Sequence, residues 1–446
     1  MRSFLSITDF SPSELIDILD RADELELLWK HGTMPQTLYG ERIAMWFCGS
    51  GFRNRTAFEI GARSMGADIT YIPGEPGAGE SACDAGVYLN NWFTMLVVRS
   101  KTQEIIESIV STAHIPVINA RTDYNHPCEI LGDLQYIRQK FQTLINVKVV
   151  FVGEVTNLCM SWFEAAVRFP IEVTQVAPRG YLLDEDKKDE MNRTALGRII
   201  TTTDIQSAVT DKTDVLYTDC WPKFDDRDTI RKLFLPFQIT AAIIERMSPQ
   251  AIFLPCPPVT RGEEVSGDCL FSDKYQNAKA KECLLYSQSA VMEFLAQEHR
   301  AEKIRLESAY HSDLTHADPT LIEVLSFIPY FENTAPEEIA HIGSRETLPD
   351  GMLSFPYPVY AKKFRDFIYE FEASRIPDPN YMENLRNHPL SDQKAICRAI
   401  NAADLALVFS IFTFFIRQER FKEGLWVTAV KTGIFLHILR RIEALS

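Results

Sequence analysis

The sequence predicts an α/β protein made of two doubly wound parallel-sheet domains followed by a mainly helical C-terminal domain. Three observations carry that prediction. From residue 42 to residue 258, short runs of β-branched and apolar residues alternate with polar turns and longer amphipathic segments, which is the pattern of parallel strands joined by helices. The chain has 446 residues, more than one hydrophobic core ordinarily serves, so at least two domains are required. Between residues 298 and 320 the periodicity fails and the charge density rises, and Pro319 then precedes a new apolar helix, LIEVLSFIPYFE.

The candidate strands are residues 43–47, 68–72, 95–98, 117–118, 147–152, 172–176, 215–217 and 251–254. Each ends where a chemically loaded loop begins. Ligands of open parallel sheets bind beyond the carboxyl ends of the strands, so function is sought in those loops. Past the linker, helices are expected at about 320–331, 359–374, 391–417 and 422–444, with a Pro/Gly-rich stretch between the first two.

Composition narrows the functional classes. The chain is 46% apolar and 24% charged, the profile of a soluble globular protein. Its formal charge of -15 speaks against a broad nucleic-acid or anionic-membrane surface, although a local basic pocket for a small anion remains compatible with it. The N-terminal segment MRSFLSITDFSPSELIDIL lacks the uninterrupted apolar run of an export signal. The apolar run 405–416 is too short to cross a bilayer as a helix and reads as a buried helix. Nine cysteines without a CxxC pair argue against a disulfide framework and point to a reducing cytoplasm.

Five segments carry the chemistry. Ser50, Gly51, Phe52, Arg53, Asn54 and Arg55 lie between a strand and a helix start, where backbone N–H groups and basic side chains suit an oxyanion; the bland reading is two solvated arginines. Arg99 ends the third strand. His126-Pro127-Cys128-Glu129 follows the strand IPVIN, and its bland reading is a turn histidine. Val150 to Asn157 forms a strand and turn. Last come Tyr217-Thr218-Asp219-Cys220-Trp221 and Leu254-Pro255-Cys256-Pro257-Pro258. A cysteine such as Cys256 is commonly just a small buried apolar side chain.

In this order and at these separations, over roughly residues 1–300, the five segments resemble the aspartate/ornithine carbamoyltransferase superfamily. They match its Ser-Thr-Arg-Thr-Arg phosphate loop, its donor-contacting arginine, His-Pro-x-Gln-x-Leu-x-Asp, the strand-and-turn opening the second domain, and the pair Tyr-Thr-Asp-Val-Trp and His-Cys-Leu-Pro. The resemblance implies a carbamoyl-phosphate-binding-like domain at 1–140, completed by a helix at about 282–298, and an amino-substrate-binding-like domain at 141–281. A linker at 299–319 and a helical domain at 320–446 follow. The stretch from Phe412 to Leu445 is similar to a widespread domain of unknown function.

By the same resemblance, Arg53, His126, Asp219 and Cys256 are the expected catalytic residues. Ser50, Gly51, Phe52, Arg53, Asn54, Arg55, Arg99, His126 and Glu129 would surround carbamoyl phosphate. Asn157, Asp219, Lys223, Phe224, Cys256 and Pro257 would face the acceptor. No cofactor and no metal are expected; His311, Asp313, His316 and Asp318 have metal-ligand types but read as a polar linker. The expected partners are small molecules, a carbamoyl phosphate or other anion and an amine or amino acid, with neither nucleic acid nor membrane. A cytoplasmic homotrimer is what the family implies.

Departures from the family pattern open alternatives. Gly51, Phe52 and Asn54 stand where hydroxyl donors are usual, and each lost bond to a charged oxygen costs about 1.5–3 kcal/mol. Phe52 could crowd the pocket. Glu129 replaces a Gln and would repel an anionic donor unless protonated or turned away. Lys223 and Phe224 replace the residues that contact ornithine in that enzyme, Lys223 being either a ligand for an acceptor anion or a surface lysine. Pro255 replaces a His, and Glu282-Cys283-Leu284 replaces a Glu-Asn-Arg. The leading expectation is therefore an enzyme carbamoylating an amine other than ornithine. The alternatives are a catalytically silent ligand-binding or regulatory homologue and a transferase with a changed donor.

Overall fold

The computed structural model describes residues 1–222, 226–312, 319–343, 356–386, 388, 390–419 and 422–446. The chain divides into two compact units, Met1–Arg300 and Ala301–Ser446. Among the described residues no helix is long and apolar enough to cross a membrane.

The first unit contains two parallel sheets, as the alternating pattern predicts. One is formed by β1 (Arg42–Phe47), β2 (Asp68–Ile72), β3 (Met95–Arg99) and β4 (Val117–Arg121), in the order β2-β1-β3-β4. The other is formed by β5 (Lys148–Val152), β6 (Glu172–Val176), β7 (Arg198–Thr202), β8 (Val215–Thr218) and β9 (Ile252–Pro255), in the order β7-β6-β5-β8-β9. β7 is absent from the expected strands. Its sequence RIITT buries one residue fully, so this edge strand lacks the continuous apolar run by which buried parallel strands are recognised.

The helices needed to place the site are α1 (Pro12–Lys30), α2 (Phe52–Ser64), α3 (Ala82–Trp92), α4 (Gln103–Val110), α5 (Pro127–Phe141), α6 (Asn157–Arg168), α7 (Glu185–Thr194), α8 (Ile205–Ala208), α9 (Arg227–Phe234), α10 (Ala241–Glu245) and α11 (Asn277–Ser312). Their starts follow local chemistry. Ser11 caps α1 in a capping box with Glu14 and Pro12 at the first helical position; Thr156 caps α6 through the Cys159 N–H at 3.3 Å. Pro127 opens α5 directly after His126, where its missing N–H costs nothing.

α5 and α6 are buried on every side over most of their length, which marks them as helices enclosed between layers rather than surface helices. One apolar cluster takes Leu19 and Leu25 from α1, Leu131 and Leu134 from α5, Trp162 and Phe163 from α6, and Val291 and Leu295 from α11. The same cluster reaches Met45 and Val97 of the first sheet and Phe151 and Tyr217 of the second. Trp162 packs edge-on to Tyr217 at 5.4 Å between ring centroids. Because this core is shared, the strand ends of both sheets are held against one common layer, and a truncation such as Trp162→Ala costs about 3–5 kcal/mol.

The second unit is mainly helical, with interruptions that the long apolar runs concealed. The expected helix at 391–417 is two helices, Gln393–Ala402 and Leu405–Gln418, because Asp404 takes a cap position and bonds the Leu407 N–H at 2.9 Å. The expected helix at 422–444 breaks at Gly433, whose φ of 70° suits glycine. A two-stranded antiparallel pair, Ala340–Ile342 with Pro358–Tyr360, was not expected. Its core is built from its own residues, including Phe364, Phe367, Phe412 and Phe435. Residues 319–446 alone are accordingly expected to give a helical circular dichroism spectrum and a sharp thermal transition. An aggregated or unfolded fragment would overturn that expectation.

Candidate active site

The candidate residues come together where the strand ends of the two sheets meet. α2 begins immediately after the loop that follows β1, α5 after β4, and α6 after β5. Three helix starts therefore surround one region, each presenting unsatisfied N–H groups.

On the α2 side, Arg53 donates from Nη2 to the Pro257 carbonyl oxygen beyond β9, bridging the two sheets. Its Nε is buried with no protein partner. Arg99 ends β3 and likewise keeps a buried, unpartnered Nε. Gly51 adopts a left-handed φ of 47°, and a side chain there would lie 3.2 Å from Arg99 Nη1 and 3.1 Å from the Phe47 ring. Gly51 is thus a space-maker for Arg99 rather than a lost hydroxyl. Phe52, at the first position of α2, is 71% exposed, so the expectation that its ring would crowd the pocket is corrected. Ser50 is exposed. Arg55 is placed over the Tyr71 ring, 4.3 Å from its centroid, and Tyr71 in turn bonds Glu59.

His126 is buried, and burial pushes its pKa down to about 3, so the ring is neutral at ordinary pH. Its backbone N–H donates to Ser161 Oγ at 2.8 Å. Asn54 is also buried; its Oδ1 accepts from Gln288 Nε2 at 2.6 Å, so its Nδ2 is the donor to Glu129 Oε2 at 2.7 Å and faces His126 Nε2 at 3.5 Å. Nε2 thus faces Asn54 and, at 3.8 Å, Glu129 Oε2, whereas Nδ1 is buried and has no protein partner. Asn54 is engaged with Gln288 and Glu129 and does not replace a hydroxyl toward the donor.

Glu129 is ionised, and its carboxylate is engaged by Lys281 and Asn54. Burial opposes its charge most, but Lys281 Nζ, 2.8 Å from Oε1, together with Arg53, holds the carboxyl below the usual carboxylate range. The same ammonium lies 2.8 Å from Asp133, which also accepts from the Tyr217 hydroxyl at 2.9 Å. Lys281 and Gln288 were missed by sequence reasoning, which named Tyr217 only as part of its motif. Lys281 gave little local signal, since it stands between Lys279 and Glu282 in a mixed stretch of the helix.

The acceptor side is built from the ends of β5, β8 and β9. Asp219 accepts from the Cys220 N–H at 2.8 Å, and burial raises its pKa. Asn157 donates from Nδ2 to the Thr122 carbonyl at 2.5 Å, tying α6 to the loop after β4. The Cys256 N–H donates to Thr218 O at 2.8 Å, and burial pushes its thiol well above the usual range, so it is no thiolate nucleophile. Pro257 supplies the carbonyl that Arg53 holds. Next to Asp219 a cavity of about 260 Å³ is lined by Cys220, Trp221, Pro222, Arg227, Arg231 and Glu263 among others. Lys223 and Phe224 lie outside the described residues, as do Asp313, His316 and Asp318 and the side chain of His311. Among the described residues no His, Cys, Asp or Glu cluster has the arrangement of a metal site.

These features define a two-domain α/β protein whose shared cleft carries arginine side chains and a neutral histidine suited to an oxyanion and a carbonyl group. The chain belongs to the aspartate/ornithine carbamoyltransferase family. Residues 2–139 match that family's carbamoyl-P binding domain and residues 145–295 its Asp/Orn binding domain, whereas residues 316–446 match a family of unknown function (DUF6508). The ornithine carbamoyltransferase of Psychrobacter arcticus is 29% identical over 312 residues, covering 69% of this chain and 99% of the relative. That of Symbiobacterium thermophilum is 30% identical over 300 residues, 65% of this chain and 96% of the relative. Among solved structures, ornithine carbamoyltransferase from Pyrococcus furiosus superposes with a TM-score of 0.63 at 30% identity, covering 65% of this chain and 96% of its own. The anabolic enzyme from Campylobacter jejuni gives 0.61 at 26% identity, covering 67% and 100%.

Two predictions follow from this geometry. Gly51→Ser is expected to destabilise the protein by about 1 kcal/mol, because φ is left-handed there and Arg99 is displaced; urea unfolding reads the loss, and an unchanged midpoint rejects the space-maker role. Glu164, buried on α6, accepts from Asn125 Nδ2 at 3.0 Å and so braces the residue before His126; burial raises its pKa to about 7. A raised folded pKa gives stability that is complete below the unfolded value near 4.5 and is lost as pH rises through 7. Glu164→Gln should therefore gain stability relative to the parent between pH 5 and pH 8, by up to about 3 kcal/mol. Parallel pH profiles for the two proteins would remove that assignment.

Proposed function

We propose that this chain transfers a carbamoyl group from carbamoyl phosphate to an amine acceptor that is not ornithine. The observation that carries the reading is the set of buried, unpartnered nitrogen donors Arg53 Nε, Arg99 Nε and His126 Nδ1, gathered at helix starts. Buried donors without partners cost stability, and a ligand offering phosphate and carbonyl oxygens supplies what they lack.

In this reading Arg99 holds the phosphate, and Arg53 with His126 Nδ1–H polarises the carbamoyl oxygen. The neutral amine attacks the carbonyl carbon, a C–N bond forms, the C–O bond to phosphate breaks, and the amine proton leaves with the inorganic phosphate. Asp219 faces a cationic part of the acceptor. A neutral imidazole serves this role as long as the ring nitrogen facing the donor carries the proton, since one N–H suffices to donate to a carbonyl oxygen. Glu129, neutralised by Lys281, no longer opposes an anionic donor. That balance supports an active enzyme over a silent homologue and supports carbamoyl phosphate over a changed donor.

The acceptor reading rests on the departure at Lys223 and Phe224; the cavity that begins at Cys220 carries both Arg227 and Arg231 and the acids Asp228 and Glu263, with Arg227 paired to Glu263 at 2.7 Å, so its charge does not by itself choose the amine. A cytoplasmic homotrimer belongs to the same proposal.

The test is release of inorganic phosphate from carbamoyl phosphate with a panel of amines, products being identified by mass spectrometry. His126→Ala is expected to lower turnover by about 10²–10³. Absence of turnover with every amine would remove the transferase reading. Rapid turnover with ornithine would remove only the altered acceptor.

A further inference from the structure

Resting on the transferase reading, we propose that Arg99 and Arg121 form a two-arginine clamp for the phosphoryl group of the donor, with Arg121 standing in for the hydroxyl donors that the loop from Gly51 to Asn54 lacks. Arg121 is the last residue of β4 and Arg99 the last of β3. Both therefore sit at carboxyl strand ends, where ligands of parallel sheets bind.

A local irregularity brings them together. Val98 pairs with Asn119, yet Arg99 pairs with Arg121, so the register shifts by one residue between them. The Ser100 N–H donates to the Arg121 carbonyl at 3.0 Å and fixes this pairing. Without the shift, Ala120 would oppose Arg99 and Arg121 would point to the opposite face of the sheet. The bulge re-aims Arg121 onto the face of Arg99, the face that Gly51 leaves open at the start of α2.

Proximity without neutralisation is the second feature. Neither guanidinium forms an ion pair with a carboxylate among the described residues. Burial lowers the pKa of Arg99, and the like charge of Arg121 lowers it further. Of the acids near the pair, Glu129 is held by Lys281 and Asn54, and Asp219 accepts from the Cys220 N–H on the acceptor side. Two part-buried like charges are unfavourable to hold side by side, and a phosphate dianion is the group whose charge and oxygen geometry match two guanidinium forks. A carboxylate would neutralise only one of them.

Isothermal titration of inorganic phosphate into the full-length protein, at fixed pH and ionic strength, tests the clamp. Arg121→Leu is expected to weaken binding about ten- to hundredfold, and Arg121→Lys less than that. Without phosphate, Arg121→Leu should melt at a higher temperature than the parent, because a repulsion has been removed; a residue that merely supports the fold would give the opposite shift. Arg121→Gln keeps a polar side chain and reads the same affinity loss should the leucine variant fail to fold. Equal phosphate affinities in parent and variants overturn the clamp and leave the transferase reading standing. Phosphate binding that depends on Arg121, in a protein that turns over no amine, leaves the clamp and removes the transferase.

Discussion

The cleft depends on one buried cation. Lys281 places a single ammonium between Glu129 and Asp133 at 2.8 Å from each, and through those acids it reaches Asn54 on α2 and Tyr217 on β8. A helix of the first sheet, a helix between the layers, the long helix α11 and the strand β8 of the second sheet thereby share one polar network. Burying three charges is expensive, and such clusters rarely gain stability over an apolar replacement; but removing one member leaves the others uncompensated, at a cost of about 3–5 kcal/mol. The network is thus a constraint on relative placement, since its members keep low energy only while all of them stay within hydrogen-bonding distance.

Much of the site's electrostatics follows. With Glu129 and Asp133 both turned to Lys281, their charge is spent within the protein. Arg53, Arg99 and Arg121 then form no ion pair with a carboxylate among the described residues, and His126 remains neutral because burial outweighs the nearby acid. An acidic chain with a formal charge of -15 can in this way present a cationic pocket. The surface charge decides solubility and long-range approach, whereas the pocket's sign is decided by which buried acids are already engaged.

The fold was legible in the sequence wherever burial was two-sided. Strands such as 147–152 and 215–217 read as continuous apolar runs because helices cover both faces, whereas β7 is a half-exposed edge and leaves no such run. The candidate motifs stood out in the sequence because each occupies a loop after a strand. What stayed hidden was long-range pairing. Lys281 lies 148 residues from Asp133 and Gln288 lies 234 residues from Asn54, so no local pattern links them. Glu129 viewed alone therefore implied repulsion of an anion, and Asn54 viewed alone implied a donor ligand; their partners reverse the first inference and redirect the second. Arg121 stayed hidden for a related reason, since strand alternation places it on the wrong face until the register shift is seen.

The C-terminal unit shows the same logic applied to architecture. The polar residues that stand out there are occupied by the backbone. Glu419 accepts from the Gly424 and Trp426 N–H groups at 2.8 and 2.7 Å and from Tyr360, capping the helix Leu425–Lys431. Asp378, buried, accepts from the Asn380 N–H at 2.8 Å and Asn384 Nδ2 at 2.9 Å and from Ser410. The Trp426 indole donates to the carbonyls of Phe415 and Ile416. Both carboxylates thus spend most of their hydrogen-bonding capacity on groups of their own unit. The conspicuous sequence motif from Arg417 to Trp426 is in its described part a capping device for an aromatic core.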